Sequence, residues 1–205
     1  MGRSDRDDSF GGRLRMGWAC RLAWLPNLLT LARIGLAPWI GLKIAQTDYA
    51  VALPLLAAAG VTDAADGFLA RRLGWQSSLG AKLDPVADKL LAATVFVALA
   101  ANGSLPGWML WLVLGRDLLI LGFAVWAFRA GVRAELKPTL WGKLSTLLQL
   151  LLAGGLLLQG AFPAEGLSAV LPLLLWTAAA MTVWSGIDYG RIGWIIAKDP
   201  SLRPD

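Results

Sequence analysis

Six long apolar stretches follow one another along the chain, and each is long enough to form a membrane-spanning helix. They cover residues 26–46, 50–71, 81–102, 106–129, 139–161 and 167–190. A helix needs about 20 mostly apolar residues to cross the hydrocarbon core of a bilayer. Gly, Pro and polar residues interrupt the pattern between the stretches, as they do at turns. The pattern predicts an all-α polytopic membrane protein with six transmembrane helices.

Basic residues alternate between the connections and predict the topology. Lys and Arg cluster before the first stretch, around the second and fourth connections, and after the last stretch. The first, third and fifth connections contain neither, and only Lys43 lies near them. Because Lys and Arg are enriched in cytoplasmic loops, this alternation places both termini in the cytoplasm.

The segment before the first stretch divides into two parts. Residues 1–12 are dominated by Asp, Arg, Gly and Ser, which predicts a disordered tail. In residues 14–25, Leu and Trp recur at near-helical spacing among arginines, which favours an amphipathic helix on the membrane surface over an unstructured basic tail. We expect one membrane domain over residues 13–198, followed by a short tail at 199–205.

Composition agrees with this assignment and restricts the chemistry. Hydrophobic residues make up 57% of the chain and charged residues 16%, against about 45–50% and about 25% in soluble domains. The chain has no His and one Cys, which excludes His-ligated zinc, a Ser-His-Asp triad and an intrachain disulfide. Any reaction must therefore use carboxylates, Lys, Arg, hydroxyls or the backbone.

Four aspartates form a pattern at the predicted cytoplasmic ends of the second and third stretches. Asp63 and Asp66 are three residues apart, and Asp84 and Asp88 are four apart. Both spacings place a pair on one helical face, and the short connection at 73–79 makes the helices antiparallel neighbours. Carboxylates at membrane depth are costly and mark functional sites. The alternative is a set of buried ion pairs with the neighbouring basic residues Arg71, Arg72, Lys82 and Lys89.

Convergent carboxylates repel one another unless a cation lies between them. Oxygen ligands select hard ions, so we expect Mg²⁺ or Mn²⁺. Four carboxylates suffice for two ions, the arrangement that supports in-line attack at phosphorus. Small residues leave room for a ligand beside the aspartates, and Arg71 is suited to a phosphate contact. These small residues are Gly67, Ala70 and Gly80.

Written out, residues 63–88 read D-x2-D-G-x2-A-R-x8-G-x3-D-x3-D. This pattern resembles the signature of the CDP-alcohol phosphatidyltransferases at all eight positions, and the six-span layout is similar as well. The resemblance implies that Asp63, Asp66 and Asp84 bind metal. It makes Asp88 the general base, near or on the second metal. It further implies that Gly67, Ala70 and Gly80 line a cytidine pocket, that Arg71 contacts the diphosphate, and that the protein is a homodimer.

Other segments bear on the acceptor alcohol. The opening of the first span, with Asn27 and Arg33, is similar to that of phosphatidylglycerophosphate synthases and eukaryotic-type cardiolipin synthases. An arginine within a span needs a partner, such as the acidic cluster or a substrate phosphate; the alternative is an interfacial, snorkelling side chain. Gly115-Arg116-Asp117 and the segment with Lys137 and Lys143 resemble the cardiolipin synthases. For Arg116 a self-neutralising pair with Asp117 competes with a substrate role, and for the lysines ordinary cytoplasmic charge does.

Taken together, the resemblance favours a cardiolipin synthase that transfers the phosphatidyl group of CDP-diacylglycerol to phosphatidylglycerol and releases CMP. The first alternative uses glycerol 3-phosphate as acceptor and makes phosphatidylglycerophosphate. A cation transporter is the alternative from another class, but the acidic motif is confined to one membrane side. We expect a bacterial inner-membrane protein whose site faces the cytoplasm, with membrane lipids and no nucleic acid as partners.

Overall fold

The computed structural model describes residues 25–73, 80–130 and 139–198, and side chains within them except at 25–29, 63–73, 80–85, 128 and 197. These residues form six α-helices and no strand, so the all-α prediction is confirmed for them. The helices are α1 (Leu25–Ala45), α2 (Tyr49–Leu73), α3 (Gly80–Ala101), α4 (Gly107–Arg129), α5 (Leu140–Ala161) and α6 (Glu165–Lys198).

Local chemistry explains where these helices begin and end. Thr47, with φ of 59°, turns the chain between α1 and α2, and Gly103, with φ of 79°, does so after α3. Thr139 caps α5, because its hydroxyl accepts a hydrogen bond from the Gly142 N–H at 3.1 Å. The last helix runs to Lys198, beyond the predicted end at 190. Polar residues end its apolar stretch there but do not interrupt the helical backbone.

Within the described residues, three helices have the length and composition of membrane spans. They lie at Gly107–Ala127, Leu140–Ala161 and Glu165–Ile196, with mean hydropathy of 1.6 to 1.8. Large apolar side chains on α4 face outward, such as Trp111 at 73% and Leu118 at 66% exposure. Exposed apolar surface on this scale is typical of contact with lipid rather than water. For α1, α2 and α3, and for the cytoplasmic termini, the membrane topology stays a prediction.

The chain divides into two compact units. The first contains α1 up to Ile40, α2 from Pro54, and α3 up to Leu91. Its buried positions include the small side chains of Ala37, Ala59 and Ala87, a residue type that lets membrane helices approach closely. Arg33 is also buried here, at 2% exposure. This unit contains the entire aspartate motif.

The second unit contains Gly41–Leu53, the rest of α3, and helices α4, α5 and α6. In it α6 packs against both α5 and α4. Three buried polar side chains join α5 to α6: Gln149 donates to the hydroxyl of Thr182 at 2.9 Å and to that of Ser145 at 3.3 Å. Hydrogen bonds of this kind stabilise helix pairs within a bilayer.

Several predicted features lie outside the described residues. These are the tails at 1–12 and 199–205, the basic position Lys137, and the interfacial helix at 14–25 apart from Leu25, the first residue of α1. The single membrane domain over residues 13–198 also stays a prediction.

Candidate active site

The aspartate motif lies on two helices of the first unit. Asp63 and Asp66 are within the continuous backbone of α2, and Asp84 and Asp88 are within that of α3. The helical spacing that the sequence pattern requires is therefore present for both pairs. Gly67, Ala70 and Arg71 follow on α2, and Gly80 begins α3. Of the four carboxylates, the described side chains include only that of Asp88.

Asp88 is joined to Arg33 by a short ion pair. Arg33 Nη1 lies 2.7 Å from Asp88 Oδ1, and the two residues are 55 positions apart in the chain. The arginine side chain is 2% exposed, whereas that of Asp88 is 51% exposed. The acidic cluster thus provides a partner for the arginine of α1. The buried guanidinium of Arg33 therefore binds one carboxylate oxygen of Asp88, while the Asp88 side chain remains accessible to a ligand.

A second polar centre surrounds Arg116 on α4, in the second unit. Its Nη1 donates to Asp117 Oδ1 at 2.8 Å, its Nη2 to Ser185 Oγ at 3.0 Å and to Gly142 O at 3.4 Å, and its Nε to Ser185 Oγ at 3.3 Å. Only 7% of the residue is exposed. The self-neutralising pair with Asp117 is present, and Arg116 also links α4 to α5 and α6.

The first turn of α5 lies against Tyr189 of α6. The Thr139 N–H donates to the Tyr189 hydroxyl at 3.3 Å, and the Arg116 guanidinium carbon is 5.6 Å from the centre of the tyrosine ring. Gly142 is buried beneath these groups, whereas Lys143 beside it is exposed. Lys143 is therefore accessible to an anionic ligand while its glycine neighbour packs inside.

The structure brings some predicted site residues together and leaves others undescribed. Arg33 and Asp88 are in contact within the first unit. In the second unit Arg116 contacts α5 at Gly142, the residue before Lys143. Asn27, on α1, is among the residues whose side chains are undescribed, and Lys137 lies in the undescribed connection. Sequence reasoning assigned no role to Ser185 or Tyr189, although both contact Arg116.

Comparison with known proteins identifies the family. A model of the CDP-alcohol phosphatidyltransferase family matches residues 23–184 of the 205. The chain belongs to this family. The matched region contains the whole motif from Asp63 to Asp88, so the resemblance seen in the sequence is confirmed. Membership also favours a transferase over a cation transporter.

The names of relatives in the family are of two kinds: some specify glycerol 3-phosphate, and others specify cardiolipin synthesis. The chloroplastic CDP-diacylglycerol–glycerol-3-phosphate 3-phosphatidyltransferase 1 of Oryza sativa is 34% identical over 92% of this chain and 62% of its own length. Cardiolipin synthase (CMP-forming) of Homo sapiens is 33% identical over 85% of this chain and 64% of its own. The CDP-diacylglycerol–glycerol-3-phosphate 3-phosphatidyltransferase of Bacillus subtilis is 32% identical over 85% and 97%.

This chain spans about three fifths of the length of the rice and human relatives, but nearly all of the bacterial one. The identities to these three relatives lie between 32% and 34%. Family membership therefore does not distinguish between the two acceptors.

Proposed function

We propose that this chain transfers the phosphatidyl group of CDP-diacylglycerol to a hydroxyl of phosphatidylglycerol, yielding cardiolipin and CMP. The observation that supports it most is the Arg33–Asp88 ion pair of 2.7 Å at the end of the family's aspartate motif. It presents a half-exposed carboxylate held by a buried cation. A carboxylate that is oriented in this way and accessible is suited to accept a proton from an alcohol.

The proposed reaction has a simple balance. The acceptor oxygen forms a bond to the phosphorus that bears the diacylglycerol, and the bond from that phosphorus to the bridging pyrophosphate oxygen breaks. CMP leaves with the electron pair, and the hydroxyl proton goes to the Asp88 carboxylate. Arg33 keeps that carboxylate oriented. Because Arg33 is almost fully buried, its guanidinium is confined and the geometry of the base is fixed before the substrate binds.

The donor set fits divalent cations. Asp63, Asp66, Asp84 and Asp88 supply only carboxylate oxygens, the ligands that Mg²⁺ and Mn²⁺ prefer, and we assign two ions to them. When bound, the ions would neutralise the pyrophosphate and the charge that leaves with CMP. We assign the cytidine pocket to Gly67, Ala70 and Gly80 and the diphosphate contact to Arg71.

For the acceptor we assign Lys143, exposed in the first turn of α5, together with Asn27, Lys137 and, less directly, Arg116. The similarity of the Gly115–Asp117 segment to cardiolipin synthases favours phosphatidylglycerol. Glycerol 3-phosphate is the second candidate, favoured by the names of the rice and Bacillus subtilis relatives. We place the enzyme as a homodimer in a bacterial inner membrane, with the site facing the cytoplasm.

The acceptor can be decided by supplying each one separately. Purified protein in detergent, with Mg²⁺ or Mn²⁺ and CDP-diacylglycerol, should release CMP when phosphatidylglycerol is added. Lipid extraction should show cardiolipin as the product. Release with glycerol 3-phosphate alone would establish the second candidate, and release with neither would remove both.

A further prediction concerns the arginine of the ion pair. Arg33→Met should lower kcat about tenfold to a hundredfold, since a hydrogen bond to a charged group contributes about 1.5–3 kcal/mol and each 1.36 kcal/mol is a factor of ten in rate. Arg33→Lys should recover part of the loss. The measurement is the initial rate of CMP release at saturating CDP-diacylglycerol.

A matched control lies on the same helix. Lys43 forms a 2.9 Å ion pair with Asp48, with side chains 27% and 37% exposed. Lys43→Met removes a cation from a pair of similar length, more exposed at the cation, that lies outside the motif. It should therefore leave kcat unchanged. Equal losses in Arg33→Met and Lys43→Met would contradict a specific role for Arg33.

A further inference from the structure

Both tyrosines of the chain pack against a glycine of α5, one near each end of the helix. A Cβ atom on Gly142 would lie 2.9 Å from the Tyr189 hydroxyl oxygen and 3.0 Å from its Cε2. A Cβ on Gly160 would lie 2.6 Å from Cε2 of Tyr49. Real Cβ atoms essentially never lie closer than 3.0 Å to such atoms, so an alanine at either position would displace the tyrosine. The displacement would disturb the hydrogen bonds of the tyrosine hydroxyl.

The two tyrosines have different polar surroundings. The Tyr49 hydroxyl bonds to Ser104 Oγ at 2.8 Å and accepts from Asn102 Nδ2 at 3.1 Å, both in the connection after α3. The Tyr189 hydroxyl accepts from the N–H of Thr139, the residue before α5, and its ring lies beneath Arg116. Only the Tyr189 contact involves residues next to the basic positions that we assign to the acceptor.

Arg116 is engaged at each of its three nitrogens. Its partners Asp117, Ser185 and Gly142 come from α4, α6 and α5. A guanidinium has five N–H donors, and at least four are directed at protein atoms. Arg116 would have to lose its hydrogen bonds to Asp117 or to Ser185 before it could donate two parallel hydrogen bonds to a phosphate. In this arrangement it holds three helices together, and Asp117 neutralises its charge.

We infer that Tyr189 is a positioning residue which, together with Arg116 and Ser185, fixes the first turn of α5 and so orients Lys143 for the acceptor. This inference rests on the proposed function, in which Lys143 binds the acceptor. It assigns Arg116 to the support of that site instead of to direct phosphate contact. Disturbing the clamp formed by Tyr189, Arg116 and Ser185 should weaken acceptor binding more than it slows the chemical step.

The test uses Gly142→Ala, Tyr189→Phe and Tyr189→Ala in the full chain. Gly142→Ala should raise the acceptor KM about tenfold, since a small displacement of a positioned group costs large factors. Tyr189→Phe, which removes one neutral hydrogen bond, should raise it about two- to tenfold. In each variant kcat and the KM for CDP-diacylglycerol should change by less than about twofold.

A double substitution tests the geometry itself. In a Tyr189→Ala background both close contacts with the tyrosine are gone and only Arg116 Nη2, 3.2 Å from the added Cβ, remains near it. Adding Gly142→Ala should therefore produce a much smaller loss than it does in the unmodified chain. This lack of additivity in Tm and in acceptor KM is the signature of direct contact. The controls Gly160→Ala and Tyr49→Phe disturb the equivalent contact at the other end of α5. They should lower Tm and leave the acceptor KM unchanged.

A failure of the proposed function and a failure of the positioning role of Tyr189 give different results in these experiments. If the unmodified chain releases no CMP with either acceptor, the proposed function fails, while the Tm cycle of Gly142 and Tyr189 still tests their contact. If CMP is released but Gly142→Ala and Gly160→Ala raise the acceptor KM equally, Tyr189 has no specific positioning role. Additive Tm losses in the double variant would also overturn the inference.

Discussion

Replacing Asp88 with asparagine should reduce CMP release by a factor of about 10²–10⁴, the usual contribution of a positioned general base. Asparagine has the same shape as aspartate, and its carbonyl can still accept from Arg33 Nη1 across the observed 2.7 Å. It has no negative charge and cannot take the proton from the acceptor hydroxyl. The loss should therefore appear in kcat, with binding of CDP-diacylglycerol retained.

Two comparison variants make this result specific. Asp48→Asn changes a carboxylate of similar exposure in the ion pair with Lys43 and should leave turnover intact. Asp84→Asn, at a position assigned to metal binding, should weaken metal and nucleotide binding as well as turnover. Full turnover in Asp88→Asn would remove Asp88 from the role of base, and loss of nucleotide binding in that variant would make it chiefly a metal ligand.

Most of the helical architecture could be predicted from the sequence because apolar length and turn residues determine it. The predicted stretches at 26–46 and 139–161 agree with α1 and α5 to within one residue at each end. The last helix is the main difference, since it continues to Lys198. Hydropathy marks the end of an apolar stretch, whereas a helix ends only where its backbone hydrogen bonding stops. Boundaries set by polarity alone therefore fall short when a helix extends past its apolar part.

The need of Arg33 for a partner could be predicted from the sequence, but the identity of that partner could not. An arginine inside an apolar stretch needs a counter-charge, and this requirement can be read directly from the sequence. Which of the aspartates meets it depends on how α1 and α3 pack, over a separation of 55 residues. A single sequence contains no measure of that packing. The identity of the partner thus came from the structure.

Ser185 and Tyr189 had a signal that sequence reasoning did not use. On α6, Thr182, Ser185 and Tyr189 recur at spacings of three and four, which marks a polar stripe on one helical face. On α5, Gly142, Ser145 and Gln149 have the same spacing. The structure joins the two stripes through Gly142 with Tyr189 and Gln149 with Thr182. Matching polar stripes on adjacent apolar helices predict which faces meet, although not the individual bonds.

Removal of divalent cations should have the second large effect. Treatment with EDTA should stop CMP release, and added Mg²⁺ or Mn²⁺ should restore it. The carboxylates of the motif and the pyrophosphate of the substrate are all negatively charged, so they repel one another unless a cation lies between them. The same treatment should lower Tm, since four carboxylates without a cation repel one another. Unchanged activity in excess EDTA would exclude the metal assignment.

A substitution can separate this repulsion from a general effect of the chelator. Asp84→Asn removes one negative charge from the motif, so in EDTA its Tm should exceed that of the unmodified chain. About 1 kcal/mol of relieved repulsion corresponds to about 2–4 °C for a chain of this length. With Mg²⁺ present the order should reverse, because the variant has lost a ligand and gains less from binding. Asp48→Asn, outside the motif, should show no such reversal. If the order of Asp84→Asn and the unmodified chain stays the same with and without Mg²⁺, the carboxylates do not share a cation.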